Sequence, residues 1–126
     1  MTPARAVLRQ ADEAAVVTRA ALRAGGRLGL SNRTLATILG VSEATVSRMG
    51  SGTYVLKPGD KPFELAVLFL RLFRALDAIV GGDAAAARAW LQNENTALGA
   101  PPVALMATVS GLVNVVGYLD ARRALV

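Results

Sequence analysis

Residues 30–52, LSNRTLATILGVSEATVSRMGSG, decide the fold. Ser31 suits the N-cap of a helix whose apolar stripe is Leu35, Ile38 and Leu39. Gly40 suits a tight stop, because only glycine adopts positive φ without steric cost. Ser42 then caps a second short helix with Val46 and Met49 facing inward. Ala36 is small where two crossing helices must approach closely. The pattern predicts two short helices joined by a tight turn, with Glu43, Ala44, Thr45, Ser47 and Arg48 directed outward.

The order Leu35-Ala36, Gly40-Val41-Ser42, Val46-Ser47-Arg48 resembles a helix-turn-helix of the Xre/Cro repressor type. That resemblance implies a second helix lying in the DNA major groove, with dimers on two half-sites. The DNA-binding set is then Arg33, Ser42, Thr45, Ser47 and Arg48. Thr45 and Ser47 can bond bases or phosphates, Arg48 suits a guanine or a phosphate, and Arg33 falls near the backbone. Glu43 does not fit a purely electrostatic role, since phosphate repels it. A helix-turn-helix kept only as scaffold is the competing reading.

Upstream, Thr2 and Pro3 suit a helix start. Leu8, Ala11, Ala14, Val17, Ala21 and Leu22 form an apolar face opposite Arg5, Arg9, Asp12, Glu13, Arg19 and Arg23. Arg9 and Glu13 stand four apart and can pair. Gly25-Gly26 is expected to end this helix, which would cover the helix-turn-helix. Downstream, residues 53–61 (TYVLKPGDK) are expected to be a linker around a Pro58-Gly59-Asp60 turn, with the Tyr54 ring on the first unit.

Pro62 opens a long helix to about Val80, before Gly81-Gly82. Its charges, Glu64, Arg71, Arg74 and Asp77, share one side, and the remaining apolar arc is too wide for a single contact. It is expected to be a central helix, covered by the N-terminal unit on one flank and by C-terminal helices on the other. Asp83 suits the cap of an Ala-rich helix ending near Trp90-Leu91, with Trp90 expected in the core. Gly99 suits a turn, Pro102 starts a short helix through Met106, and Thr108 or Ser110 caps the last helix. Gly111 and Gly117 lower its propensity, which predicts close packing against another backbone.

Ala87, Ala89-Trp90-Leu91, Asn95, Ala97-Leu98-Gly99, Pro102, Leu105-Met106, Gly111 and Leu119 are similar in order to the toxin-binding domain of the Xre/MbcA/ParS antitoxins. The similarity runs from about Pro62 to Arg123, with departures at Ala100 and Ser110. It implies a type II antitoxin that binds and blocks an NAD-consuming RES-domain toxin and, with it, represses its own promoter. The toxin-binding set on this reading is Asn93, Asn95, Leu98, Tyr118, Arg122 and Arg123. Turn geometry explains Asn93 and Asn95 equally well. Arg122 and Arg123 either plug the toxin cleft or simply meet the negative end of the helix dipole.

Composition sets the outer bounds. The chain has 126 residues, 53% hydrophobic but only 5% aromatic, a mixture of Ala, Leu and Val that favours helices. Without Cys or His it lacks disulfides, thiolate metal sites and the commonest general base. The reading is therefore of a non-enzyme with no cofactor and no metal. The net charge of +5 falls unevenly: residues 1–63 hold nine Lys/Arg and four acids, residues 64–126 five of each. That asymmetry suits an anionic partner for the first half and a protein partner for the second, unless Arg merely solvates an Ala-rich surface. No signal peptide is read at the N-terminus, and Pro101-Pro102 with polar residues interrupts the uncharged run from Asn95 to Leu119, so no membrane span is expected and the cytoplasm is the expected location.

The expected architecture is all-α: an Xre/Cro-like helix-turn-helix unit over residues 1–60 and a helical toxin-binding and dimerisation unit over residues 61–126, sharing the long central helix. Expected partners are a RES-domain toxin, operator DNA and a second copy of the chain. The runner-up is a stand-alone dimeric helix-turn-helix repressor.

Overall fold

The computed structural model describes residues 3–124, so the Thr2 cap and the final Leu125-Val126 lie outside the described residues. Seven helices follow one another there, with no strand among them: α1 Pro3–Arg27, α2 Asn32–Leu39, α3 Glu43–Ser51, α4 Lys61–Ile79, α5 Ala84–Gln92, α6 Pro102–Leu105 and α7 Val109–Ala124. The all-α expectation holds, and α4 is the shared central element. Its Ala66, Phe69, Leu72, Ala75 and Leu76 are fully buried, and α1, α2, α5 and α7 all pack on it. The arc is wide because no single neighbour could cover it.

α1 departs from expectation at both ends. It runs through Gly25-Gly26 and ends one residue later at Arg27, after which Gly29 turns the chain at φ +69. Gly25 stays helical because it is a contact: a Cβ there would come within 3.1 Å of Leu35 Cδ2, so glycine lets α2 press onto α1. The end of α1 is held by Arg88 of α5, whose Nε donates to the Arg27 carbonyl at 2.8 Å. A cation on carbonyls that lack intrahelical partners suits a helix C-terminus. At the other end, Ala14, Thr18, Ala21 and Ala24 are buried but Leu8 and Ala11 are exposed. A 25-residue helix is about 37 Å long and overhangs the body it covers. Arg9 and Glu13 form no ion pair in this overhang.

The stretch expected to be a linker is stitched into the core. Leu56 is fully buried, and its N–H donates to the Thr18 hydroxyl at 2.9 Å. The same hydroxyl donates to the Ala14 carbonyl at 2.6 Å, so this buried polar group has a donor and an acceptor satisfied. Leu56 anchors the loop, and Tyr54 packs against the core beside it.

Asp83 caps α5 as expected, accepting from Ala86 N at 3.1 Å. Thr108 rather than Ser110 caps α7, accepting from Gly111 N at 3.1 Å. The two glycines of α7 differ. Gly111 is buried, and a side chain there would overlap the Leu105 carbonyl; Gly117 is exposed with nothing within 4 Å, contrary to expectation. Chemical denaturation should separate them. Gly111→Ala should destabilise by ~1–3 kcal/mol through overpacking, while Gly117→Ala should stabilise by ~0.5–1 kcal/mol through helix propensity. Equal effects would contradict the α6–α7 contact.

Candidate functional site

Two surfaces carry the residues of interest. The first is built by α2 and α3. Ser31 accepts from Thr34 N at 3.1 Å, and Gly40 ends α2 at φ 71. Ser42 accepts from Thr45 N at 3.0 Å and starts α3. Leu35, Ala36, Ile38 and Leu39 of α2 pack with Val46 and Met49 of α3, all buried, which fixes the crossing of the two helices.

That packing leaves Ser42, Ser47 and Arg48 exposed and Thr45 half-buried. The Ser42 and Thr45 hydroxyls share a hydrogen bond of 2.8 Å, and Arg48 Nη2 donates to Thr45 Oγ1 at 3.0 Å. Three of the expected DNA-contacting residues therefore form one chain along α3. Arg48 is oriented by a single hydroxyl and keeps its other N–H groups for an acceptor. Ser47 stands beside this chain without joining it. Arg33 is exposed in the first turn of α2, where it lines a groove of about 300 Å³ with Val103 and Ala104 of α6. The acid Glu43 opens α3, where a negative charge suits the helix N-terminus whatever else it does.

The second surface lies on α5, α6 and α7. Trp90 is half-buried rather than core, and its ring stacks on Tyr118 with centroids 6.2 Å apart and planes 17° apart. Arg122 donates to the Tyr118 hydroxyl at 2.9 Å, with its guanidinium carbon 5.7 Å from the ring centre. Trp90, Tyr118 and Arg122 thus make one amphipathic patch joining α5 to α7. Such a patch offers a flat aromatic surface and a cation at its edge, a combination enriched at protein interfaces.

Residues 7–71 match the family described as the antitoxin Xre-like helix-turn-helix domain, and residues 75–124 match the antitoxin Xre/MbcA/ParS C-terminal toxin-binding domain. The chain belongs to the Xre-like antitoxin family. No individual curated protein matches it. The antitoxin therefore carries a helix-turn-helix domain followed by a toxin-binding domain. No helix among the described residues is long and apolar enough to cross a membrane.

The remaining expected toxin contacts are dispersed. Asn95 accepts from Leu98 N at 3.1 Å through Oδ1, so its acceptor is engaged in closing its own turn. Leu98 packs partly against the core, and exposed Asn93 ends α5. Arg123 lies away from the aromatic patch, lining a groove with Val17 of α1 and Leu70 of α4. Sequence reasoning paired neither Trp90 with Tyr118 nor Arg71 with Asp120, which meet at 2.6 Å. The available signal was a lone Trp and a Tyr in two helices that a Pro-Pro turn folds together.

The single Trp makes the stack directly observable. Tyr118→Ala should shift Trp90 emission to the red by exposing the indole, whereas Tyr118→Phe should leave it nearly unchanged. An unshifted Tyr118→Ala spectrum would contradict the stack.

Proposed function

We propose that this chain is the antitoxin of a type II toxin–antitoxin pair, binding and blocking an NAD-consuming RES-domain toxin in the cytoplasm. With the toxin it represses its own promoter, as a dimer on two half-sites. One observation carries the reading: a helix-turn-helix domain and a toxin-binding domain lie on one chain, each with an exposed polar or aromatic face. The division of labour assigns residues 1–60 to operator DNA and residues 61–126 to toxin, with α4 common to both.

On the DNA side, α3 enters the major groove with Ser47 and Arg48 toward base edges, while Arg33, Ser42 and Thr45 meet the phosphates. The net charge of the first half supports this polarity. On the toxin side, docking centres on Tyr118 and Arg122 with Trp90 beside them, and the turn carrying Asn93, Asn95 and Leu98 completes the contact. Blocking is steric: α7 lies across the toxin's cleft and keeps substrate out. Arg122 is better placed than Arg123 to meet a toxin carboxylate, because the aromatic patch holds it. Deleting residues 120–126 would also remove Asp120 from Arg71, so the point substitution Arg122→Ala is the cleaner probe.

Co-expression tests the reading. A RES-domain toxin encoded beside this chain should arrest growth alone, and the chain should restore growth and co-purify with it. Growth arrest that persists despite equal expression would sink the proposal. Arg48→Ala should leave that rescue intact while weakening operator binding by ~1–3 kcal/mol. Unchanged operator affinity would reduce the helix-turn-helix to a scaffold.

A further inference from the structure

Arg48 is held through both its backbone and its side chain. Its carbonyl accepts from the Thr53 N–H at 2.9 Å, from Ser51 Oγ at 3.1 Å and from Thr53 Oγ1 at 3.2 Å. These donors close the C-terminal turn of α3 and fix the backbone at Arg48. Its guanidinium bonds back to Thr45 Oγ1 at 3.0 Å, three residues toward the start of the helix. That tether draws the cation toward the first turn of α3, and the N-terminal residues of a recognition helix are those that contact base edges. A long untethered arginine reaches a phosphate as readily as a base. Among the described residues Arg48 forms no ion pair, so apart from the N–H spent on Thr45 its planar fork stays open to a pair of acceptors. The Ser42 and Thr45 hydroxyls share one hydrogen bond of 2.8 Å, which uses one of their two hydrogens whichever side donates. The other hydrogen remains for a phosphate. Thr45 accepts the Arg48 bond in either case, so phosphate contact and tether coexist.

We infer that Thr45 is a positioning residue for base readout: it holds Arg48 so that the guanidinium fork meets the O6 and N7 acceptors of one guanine in the major groove. Without the Thr45 hydroxyl, Arg48 must be ordered at the moment of binding. That cost falls on the guanine contact and spares phosphate affinity, because Ser42 keeps a hydrogen for the backbone. Thr45 thus sets discrimination among sequences through a side chain other than its own. The inference rests on the DNA role proposed above, and adds to it the base that is read and the residue that secures the reading.

Selection of duplexes from a randomised pool by the full chain supplies the site. Each guanine in it is then replaced by 7-deazaguanine, which lacks the N7 acceptor. One replacement should weaken binding by the unaltered chain and make no difference to Arg48→Ala. Thr45→Val should shrink the penalty at that position about two- to tenfold, and Thr45→Ser should restore it. Affinity of both Thr45 variants for an unrelated duplex should match that of the unaltered chain. Far-UV circular dichroism checks folding, and Thr45→Ala removes the same hydroxyl in a residue that favours helix, should Thr45→Val lose helical content. A hydroxyl-free variant that weakens every duplex alike, or keeps the full guanine penalty, would overturn the inference and leave the DNA role standing. A pool from which the unaltered chain selects no duplex would remove the DNA role and the inference with it.

Discussion

Everything in this fold depends on covering α4. A 19-residue helix with apolar side chains around most of its circumference is unstable in water until several neighbours bury it. At roughly 1.5–3 kcal/mol for each large apolar side chain removed from water, Phe69, Leu72 and Leu76 alone outweigh any surface ion pair in the structure. The neighbours come from both ends of the chain: α1 and α2 on one flank, α5 and α7 on the other. Neither set of helices has another core to fold around, and the cluster of buried residues is continuous from Ala21 to Leu119.

This sharing places the two functional surfaces close to one core. Arg88 of α5 holds the C-terminal carbonyls of α1, and Arg27 of α1 reaches the Gly82 carbonyl at 3.1 Å in the turn between α4 and α5. Arg33 of α2 and Val103 of α6 line the same groove. A ligand that tightens α5, α6 or α7 therefore acts on elements already touching α1 and α2.

Where the sequence was legible, a side chain had only one local use. Ser31, Ser42 and Asp83 precede apolar periodic stretches and cap them, and Gly40 stops α2. The buried positions of α2 and α3 follow from 3.6-residue spacing, and the exposed Glu43, Ala44, Ser47 and Arg48 follow from the same count, whereas Thr45, expected outward, is half-buried. Legibility failed where a tertiary partner set the outcome. Gly25 reads as a breaker but serves as the seat for Leu35. Leu56 sits among turn residues, yet one hydroxyl from Thr18 and a place in the core make it an anchor. Trp90 looks like core because it is large and apolar, but Tyr118 takes one of its faces and leaves the stack at the surface. Gly111 and Gly117 are identical in sequence terms, and only the Leu105 carbonyl distinguishes them.

Denaturant unfolding followed by two probes tests the shared core most directly. Trp90 emission reports the α5–α7 side alone, whereas far-UV circular dichroism reports every helix. A chain organised around α4 should lose both signals in one coincident transition, as a two-state domain does. A Trp90 transition that separates from the helical one, leaving α1–α3 folded without α7, would contradict the account.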